Sequence, residues 1–109
     1  MKKIYFYSHI VDTSALFLEL NEMDLTSIER LHLISLIDSN IHQEVIALIL
    51  SELNLPDRKI FLAHLASESH DKIWKLLNSK INDAEEKIKK TVETLKEELH
   101  KDMQKVKGI

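Results

Sequence analysis

Two glutamate–histidine pairs in this sequence have the spacing found in metal-binding helices. Glu29 and His32 are three positions apart, and so are Glu97 and His100. Residues at this spacing lie on the same face of a helix. In di-iron helical bundles the same spacing supplies a carboxylate and an imidazole to the metal ions. The two pairs are therefore the first candidates for metal chemistry.

The direction of the second pair argues against that role. An apolar seam along the predicted last helix passes through Val92, Leu95 and Leu99. At about 100° per residue, Glu97 points roughly 160° from the centre of this seam, and His100 roughly 100° from it. Both side chains are therefore expected to face water. We predict no metal site, no cofactor and no catalytic residue.

The other histidines leave one alternative open. His64 and His70 lie on either side of a predicted helix boundary, and His42 borders an apolar face. A ligand- or metal-responsive helical regulator that uses the histidines is therefore the alternative function. Two further site classes are excluded, because the chain has no cysteine for a thiolate and only Gly108 for a phosphate-binding loop.

The scarcity of glycine and proline predicts an all-α protein. The 109 residues include one Gly and one Pro, whereas β-sheet proteins need such turn residues often. A hydrophobic content of 44% is ordinary for a folded globular protein, and the length fits a single domain over residues 1–109. The absence of cysteine fits a reducing compartment, so we expect a cytoplasmic location.

The charge is divided unevenly along the chain. Residues 1–68 carry 10 acidic and 5 basic side chains, or −5, and residues 69–109 carry 8 acidic and 10 basic ones, or +2, which together give the net charge of −3. Neither part has the basic excess of a nucleic-acid-binding surface, so no nucleic-acid partner is expected. The opposite signs favour weak attraction between copies.

Residues 69–107 are predicted to form one continuous helix, because they contain no Pro and no Gly. Their apolar residues follow an eleven-residue repeat, which is close to three helical turns. The members of this stripe are Leu77, Ile81, Ala84, Ile88, Val92, Leu95, Leu99, Met103 and Val106. Acidic and basic residues four apart cover the other faces, and each such pair stabilises a helix by about 0.2–0.5 kcal/mol.

The preceding residues are predicted to form about four short helices, over residues 12–20, 27–38, 41–53 and 56–66. Thr26 and Glu29 have the spacing of a capping box at the start of the second helix. No Gly or Pro interrupts residues 27–53, so one helix over this range is the alternative, but a cap-like pattern at Asn40 predicts a break between the second and third helices. Residues 1–11 are expected either to pack on the bundle as an extended arm or to begin the first helix.

The core and the relation to membranes follow from the apolar positions. The residues predicted to form the core are Ile34, Ile37, Val45, Leu48, Ile49, Phe61, Leu65, Trp74 and Leu77. The unbroken apolar run at residues 45–50 is far shorter than the roughly 20 residues of a membrane span. A membrane-surface role is disfavoured, because the stripe beyond Ile88 is narrow, lacks aromatic residues and is bordered by charges of both signs.

Three segments of the chain, residues 25–33, 49–62 and 70–74, resemble small all-helical bacterial proteins to which no activity is attached. The shared strings include Leu25-Thr26-Ser27-Ile28-Glu29 and His70-Asp71-Lys72-Ile73-Trp74. The resemblance implies a helical fold. It implies no activity and transfers no functional residue.

The length of the predicted last helix leads to a prediction of assembly. Residues 69–107 would span about 58 Å, whereas the head helices, with roughly 9–14 residues each, would reach about 14–21 Å. The head, residues 1–88, would then leave residues 89–109 projecting with an uncovered stripe. We predict a non-enzymatic interaction module, a homo-oligomer with the dimer as the simplest form, or one that binds a partner helix. The predicted interface consists of Ile88, Val92, Leu95, Leu99, Met103 and Val106.

Overall fold

The computed structural model describes residues 4–107, with the side chains of residues 4–14 and 16–102. Five α-helices follow a short 3-10 turn at Ser8–Ile10. They are α1 Ser14–Glu22, α2 Ser27–Glu52, α3 Leu55–Ala66, α4 His70–Lys80 and α5 Ala84–Lys107. The described residues contain no strand, and the prediction of an all-α protein is confirmed.

Helix α2 is continuous over 26 residues, so the predicted break at residues 38–40 is wrong. Its buried side chains recur every four positions and are Ile37, Ile41, Val45 and Ile49. The Asp, Ser and Asn at the expected break each cost at most about 0.7 kcal/mol of helix propensity. Burial of one Val or Ile side chain contributes about 1.5–3 kcal/mol. The packing of a continuous apolar face therefore outweighs the local preference for a cap.

The predicted single helix over residues 69–107 is also wrong, because a turn separates α4 from α5. Ile81 has extended backbone, and Asp83 has a left-handed backbone with φ of 54°. Asn and Asp tolerate that conformation better than other residues with a Cβ atom, and Asn82 and Asp83 occupy this turn. Ile81 and Ala84 are both buried, so the turn is packed into the core.

Side-chain hydrogen bonds cap the ends of α2 and the start of α3. The predicted capping box is confirmed, with the Glu29 amide donating to Thr26 Oγ1 at 3.1 Å and the Thr26 amide donating to Glu29 Oε1 at 3.0 Å. Asn54 accepts from the Asp57 amide at 3.0 Å to cap α3, which ends at Ala66 as predicted. Arg58 Nε donates to the carbonyl oxygens of Leu50 and Leu53 at 2.7 and 3.0 Å and so caps the end of α2.

Helices α2 and α5 pack side by side and run antiparallel. Lys87 Nζ lies 3.1 Å from Glu52 Oε2, which joins the start of α5 to the end of α2. Further along, Glu44 of α2 lines the same groove as Leu95 and Glu98 of α5. Helix α1 packs against both, and α3 packs against α4. The molecule measures 48 × 26 × 21 Å, so it is elongated along this helix pair.

The predicted core is largely confirmed. Ile37, Val45, Ile49, Phe61 and Leu77 are buried, and Ile34, Leu48, Leu65 and Trp74 are partly buried against them. The N-terminal arm also contributes to the core, since Phe6 and Tyr7 are buried. The Trp74 indole donates to the Phe6 carbonyl oxygen at 2.8 Å, which ties the arm to α4. The described residues of the arm pack on the bundle, as one of the two expectations had it, but the arm is not extended, because residues 6–10 form a turn and the 3-10 helix Ser8–Ile10.

Candidate functional site

The predicted interface residues of α5 fall into three groups. Ile88 and Val92 are buried within the chain itself. Leu95 and Leu99 are partly buried and pack against the edge of the core. Met103 and Val106 belong to α5, but their side chains lie outside the described residues. The first part of the predicted stripe is thus already covered by the chain's own helices.

The long α2 explains this coverage. The prediction of a projecting end assumed that each head helix has roughly 9–14 residues, but α2 has 26. At 1.5 Å per residue, α2 spans about 39 Å and α5 about 36 Å, so the two helices match in length. The geometric premise of the predicted projecting end is therefore wrong, because α2 lies beside α5 from Lys87 through Glu98.

The opposite end of the helix pair is less well covered. Counting equal steps along both helices from the Lys87–Glu52 contact places Met103 at about the level of Leu36, and Val106 near Leu33. At this end of α2, Ile28 has 81% and Leu31 has 66% of its surface exposed, and Leu36 is also exposed. We use the name apolar end for Ile28, Leu31 and Leu36.

A buried polar atom also marks the start of α2. Arg30 lies in the first turn of this helix, and its Nε atom is buried without a hydrogen-bond partner among the described residues. A buried donor in a native protein is normally paired, and leaving one unpaired costs about 1–3 kcal/mol. This donor lies between the exposed Ile28 and Leu31 in the first turns of α2.

The elements at the apolar end carry charges of opposite sign in the sequence. Glu22, Asp24 and Glu29 are exposed on the end of α1, the following loop and the start of α2. The last two turns of α5 carry basic residues in the sequence, namely Lys101, Lys105 and Lys107. By sequence, the last two turns of α5 have more basic than acidic residues, with Asp102 as the acid, and the start of α2 lies among acidic ones.

His100 has a contact that the helical projection did not anticipate. Its Nδ1 atom lies 2.7 Å from Glu19 Oε2 of α1, although 57% of the His100 side chain is exposed. Glu19 is buried, with only 9% of its side chain exposed. Glu97 is exposed, as expected. The one sequence signal for this contact is the single acidic residue within the apolar run of α1.

The other histidines do not converge on a site. His32 is exposed. The carboxylate of its partner Glu29 accepts the hydrogen bond of the capping box, so in the first glutamate–histidine pair the carboxylate serves to cap the helix. His42 Nδ1 lies 3.0 Å from the Tyr7 hydroxyl. Among the side chains of residues 4–14 and 16–102, no group of three or more metal-ligating residues is close enough together to hold an ion.

Helix α2 is strongly apolar, although little of it is buried. Among the described residues, it is the one helix with the length and hydropathy of a membrane span. Such a helix in a soluble core is normally buried, but only 22% of the apolar window of α2 is buried in the chain. The predicted break had hidden this feature, because it divided the apolar sequence into two short helices.

Comparison with protein-family models, with curated proteins and with solved structures finds no match for this chain.

Proposed function

We propose that this protein is a non-enzymatic helical interaction module that self-associates through the apolar end. The observation that carries the proposal is the low burial of α2, above all the exposure of Ile28 and Leu31. Adjacent apolar side chains that protrude from a monomer are typical of interaction surfaces. The surface lies on a long helix, whose regular face suits packing against another helix.

A second copy of the chain is the partner that fits best. Two-fold pairing is the commonest symmetric assembly, and it brings each surface against the same surface of the other copy. In such a pair, the basic last turns of α5 of one copy approach the acidic α1–α2 region of the other. That arrangement matches the −5 charge of residues 1–68 with the +2 charge of residues 69–109.

The test is the mass of the purified protein by light scattering at tens of micromolar. We expect a dimer for the wild type and a monomer for Ile28→Glu/Leu31→Glu. Both side chains are largely exposed, so this double variant should keep its helical circular dichroism. The matched control is Leu55→Glu/Leu62→Glu, which adds the same two charges to exposed positions of α3 and should remain dimeric.

A second double variant tests the stripe on α5. Leu95→Glu/Leu99→Glu should also be monomeric, but these side chains touch the core and this variant should lose stability as well. A monomeric wild type would refute self-association. If that monomer bound lipid vesicles through Ile28 and Leu31, the apolar end would be a membrane-binding surface instead. If it did not, a different partner helix would be the better assignment.

A further inference from the structure

A cleft beside the middle of α2 combines aromatic rings with carboxylates. It has a volume of about 190 Å³ and lies between the N-terminal arm, the start of α1 and the middle of α2. Its walls include Tyr5, Tyr7, Phe17, Asp12 and Asp38, and no Lys or Arg lines it. The cleft is separate from the apolar end, since Asp38 and Ile41 line it from the centre of α2.

The aromatic walls are held in place by contacts among themselves. The rings of Tyr5 and Tyr7 are stacked with centroids 5.2 Å apart, and the Tyr5 ring stacks on His42 at 4.6 Å. The Tyr7 hydroxyl and His42 Nδ1 are 3.0 Å apart, so the buried Tyr7 is fixed to α2. A wall that is already ordered loses little conformational freedom when a ligand binds.

The two carboxylates differ in what they do. Asp12 Oδ1 accepts from the amide and the hydroxyl of Ser14 at 3.0 and 2.6 Å, which holds it at the start of α1. Asp38 is partly buried one helical turn before His42. Burial, followed by the negative charge of Asp38, raises the pKa of Tyr5 above its ordinary value of 10.0. The negative charge of Asp38 therefore disfavours a second negative charge next to the aromatic wall.

The size of the cleft sets the size of a ligand. A water molecule occupies about 30 Å³ of liquid, so the cleft holds the volume of roughly six waters. This is below the 300 Å³ or so at which sites for drug-sized molecules begin. A short alkyl chain with one charged group fits this volume.

We propose that this cleft binds a small organic cation of the alkylammonium class, with the ammonium group at Asp38 and the alkyl chain against Tyr5 and Phe17. Aromatic faces attract cations as well as apolar chains, and a partly buried carboxylate supplies the charge partner. Anions are excluded by the two aspartates. The site has no part in the proposed self-association.

The test uses n-butylammonium as the probe and n-butanol as its neutral counterpart of similar size. Titration of the isotope-labelled protein, followed by backbone NMR, should show saturable shifts at residues 5–17 and 38–42 with butylammonium at about millimolar dissociation constant. We expect binding of butanol to be at least tenfold weaker. Asp38→Asn, which keeps the shape of the side chain, should weaken butylammonium binding about tenfold.

The matched control is Asp71→Asn, at an exposed position of α4, which should leave the binding of butylammonium unchanged. Equal binding of butanol and butylammonium would overturn the proposal and define a purely apolar cleft. So would an unchanged dissociation constant in Asp38→Asn, or shifts that do not saturate. The wild-type comparison of the two probes needs no variant, so misfolding cannot obscure the result.

Discussion

The two ends of the helix pair differ in how completely the chain covers itself. At one end, the N-terminal arm, α3 and α4 meet around aromatic side chains. The Phe6 ring makes edge contacts with Phe61 at 6.0 Å and with Trp74 at 5.9 Å. We call this the aromatic end and define it by Phe6, Phe61, Ile73, Trp74 and Leu77. At the apolar end, Ile28 and Leu31 face outward.

The difference between the two ends shows how each additional element covers apolar side chains of the helix pair. A helix buries one face, and its other apolar positions need further neighbours. At the aromatic end, the arm and α3 supply those neighbours, and Phe61, Ile73 and Leu77 have no exposed surface. At the apolar end, α1 is the only element other than α2 and α5 among the described residues. The aromatic cluster is thus covered within the chain, although Leu55 and Leu62 of α3 are exposed nearby, whereas Ile28 and Leu31 are left uncovered by the described residues.

The largest expected effect tests whether the aromatic end holds the fold. Phe61→Ala should lower the free energy of unfolding by about 3–5 kcal/mol, because Phe61 is fully buried and the change leaves a cavity. Leu31→Ala at the apolar end is the contrast and should cost the monomer less than about 0.5 kcal/mol. Urea denaturation at low protein concentration measures both. A loss below about 1 kcal/mol for Phe61→Ala would contradict the closed core.

A smaller effect tests the attachment of the arm. Trp74→Phe removes the indole that donates to the Phe6 carbonyl oxygen, and should cost about 1–3 kcal/mol through the unpaired acceptor and the smaller ring. Tyr7→Phe, which removes only the hydroxyl paired with His42, should cost about 1 kcal/mol. Thermal or urea denaturation compares the variants. If Trp74→Phe were as stable as the wild type, the arm would contribute nothing to closing this end.

The connection between α3 and α4 offers a stabilising change. The Ser69 amide donates to the His64 carbonyl at 3.0 Å and the Glu68 amide to that of Leu65 at 3.1 Å, which is the Schellman motif. Glu68 has a left-handed backbone with φ of 55°, where glycine is usual. Glu68→Gly should therefore raise the free energy of unfolding by about 0.5–1 kcal/mol. Glu93→Gly within α5 should lower it by about 1 kcal/mol. Equal losses in both variants would show that the backbone of Glu68 is unstrained.

Much of the fold could be predicted from residues that act locally. The all-α class followed from one Gly and one Pro, and Thr26 and Glu29 marked a helix start that the structure confirms. Both errors in the helix boundaries arose because local residue preferences were given more weight than packing. Asp38, Ser39 and Asn40 look like a cap but lie between buried Ile37 and Ile41, whereas Asn82 and Asp83 carry few cap signals and form a turn.

The candidate surface was harder to predict, because it depends on which helices become neighbours. The α5 stripe was visible as a repeat, but its coverage at Ile88 and Val92 depends on the full length of α2. Exposure of Ile28 and Leu31 has no signature in the sequence, since both residues look like core positions. The contact between Glu19 and His100 joins residues 81 positions apart, which no helical spacing predicts.

The smallest expected effect is a dependence on pH at the start of α2, beside Ile28 and Leu31. The pKa of Glu29 is lowered from 4.5, first by the hydrogen bond from the Thr26 amide and then by that from its hydroxyl. A carboxyl with a lowered folded pKa stabilises the folded state at pH above 4.5, and this contribution is lost as the pH falls through the folded value. NMR titration of the Glu29 carboxyl carbon should therefore give a midpoint below 4.5.

The matched variant is Thr26→Val, which removes the cap hydroxyl and keeps the backbone amide. The midpoint of Glu29 should move upward in this variant but stay below 4.5, because the larger of the two causes remains. In Glu29→Gln, acidification below pH 4.5 should destabilise the protein slightly less than it destabilises the wild type. A wild-type midpoint at or above 4.5 would mean that the capping box is open in solution. The first turn of α2 would then be frayed, and Ile28 could not present a fixed apolar face to a second copy.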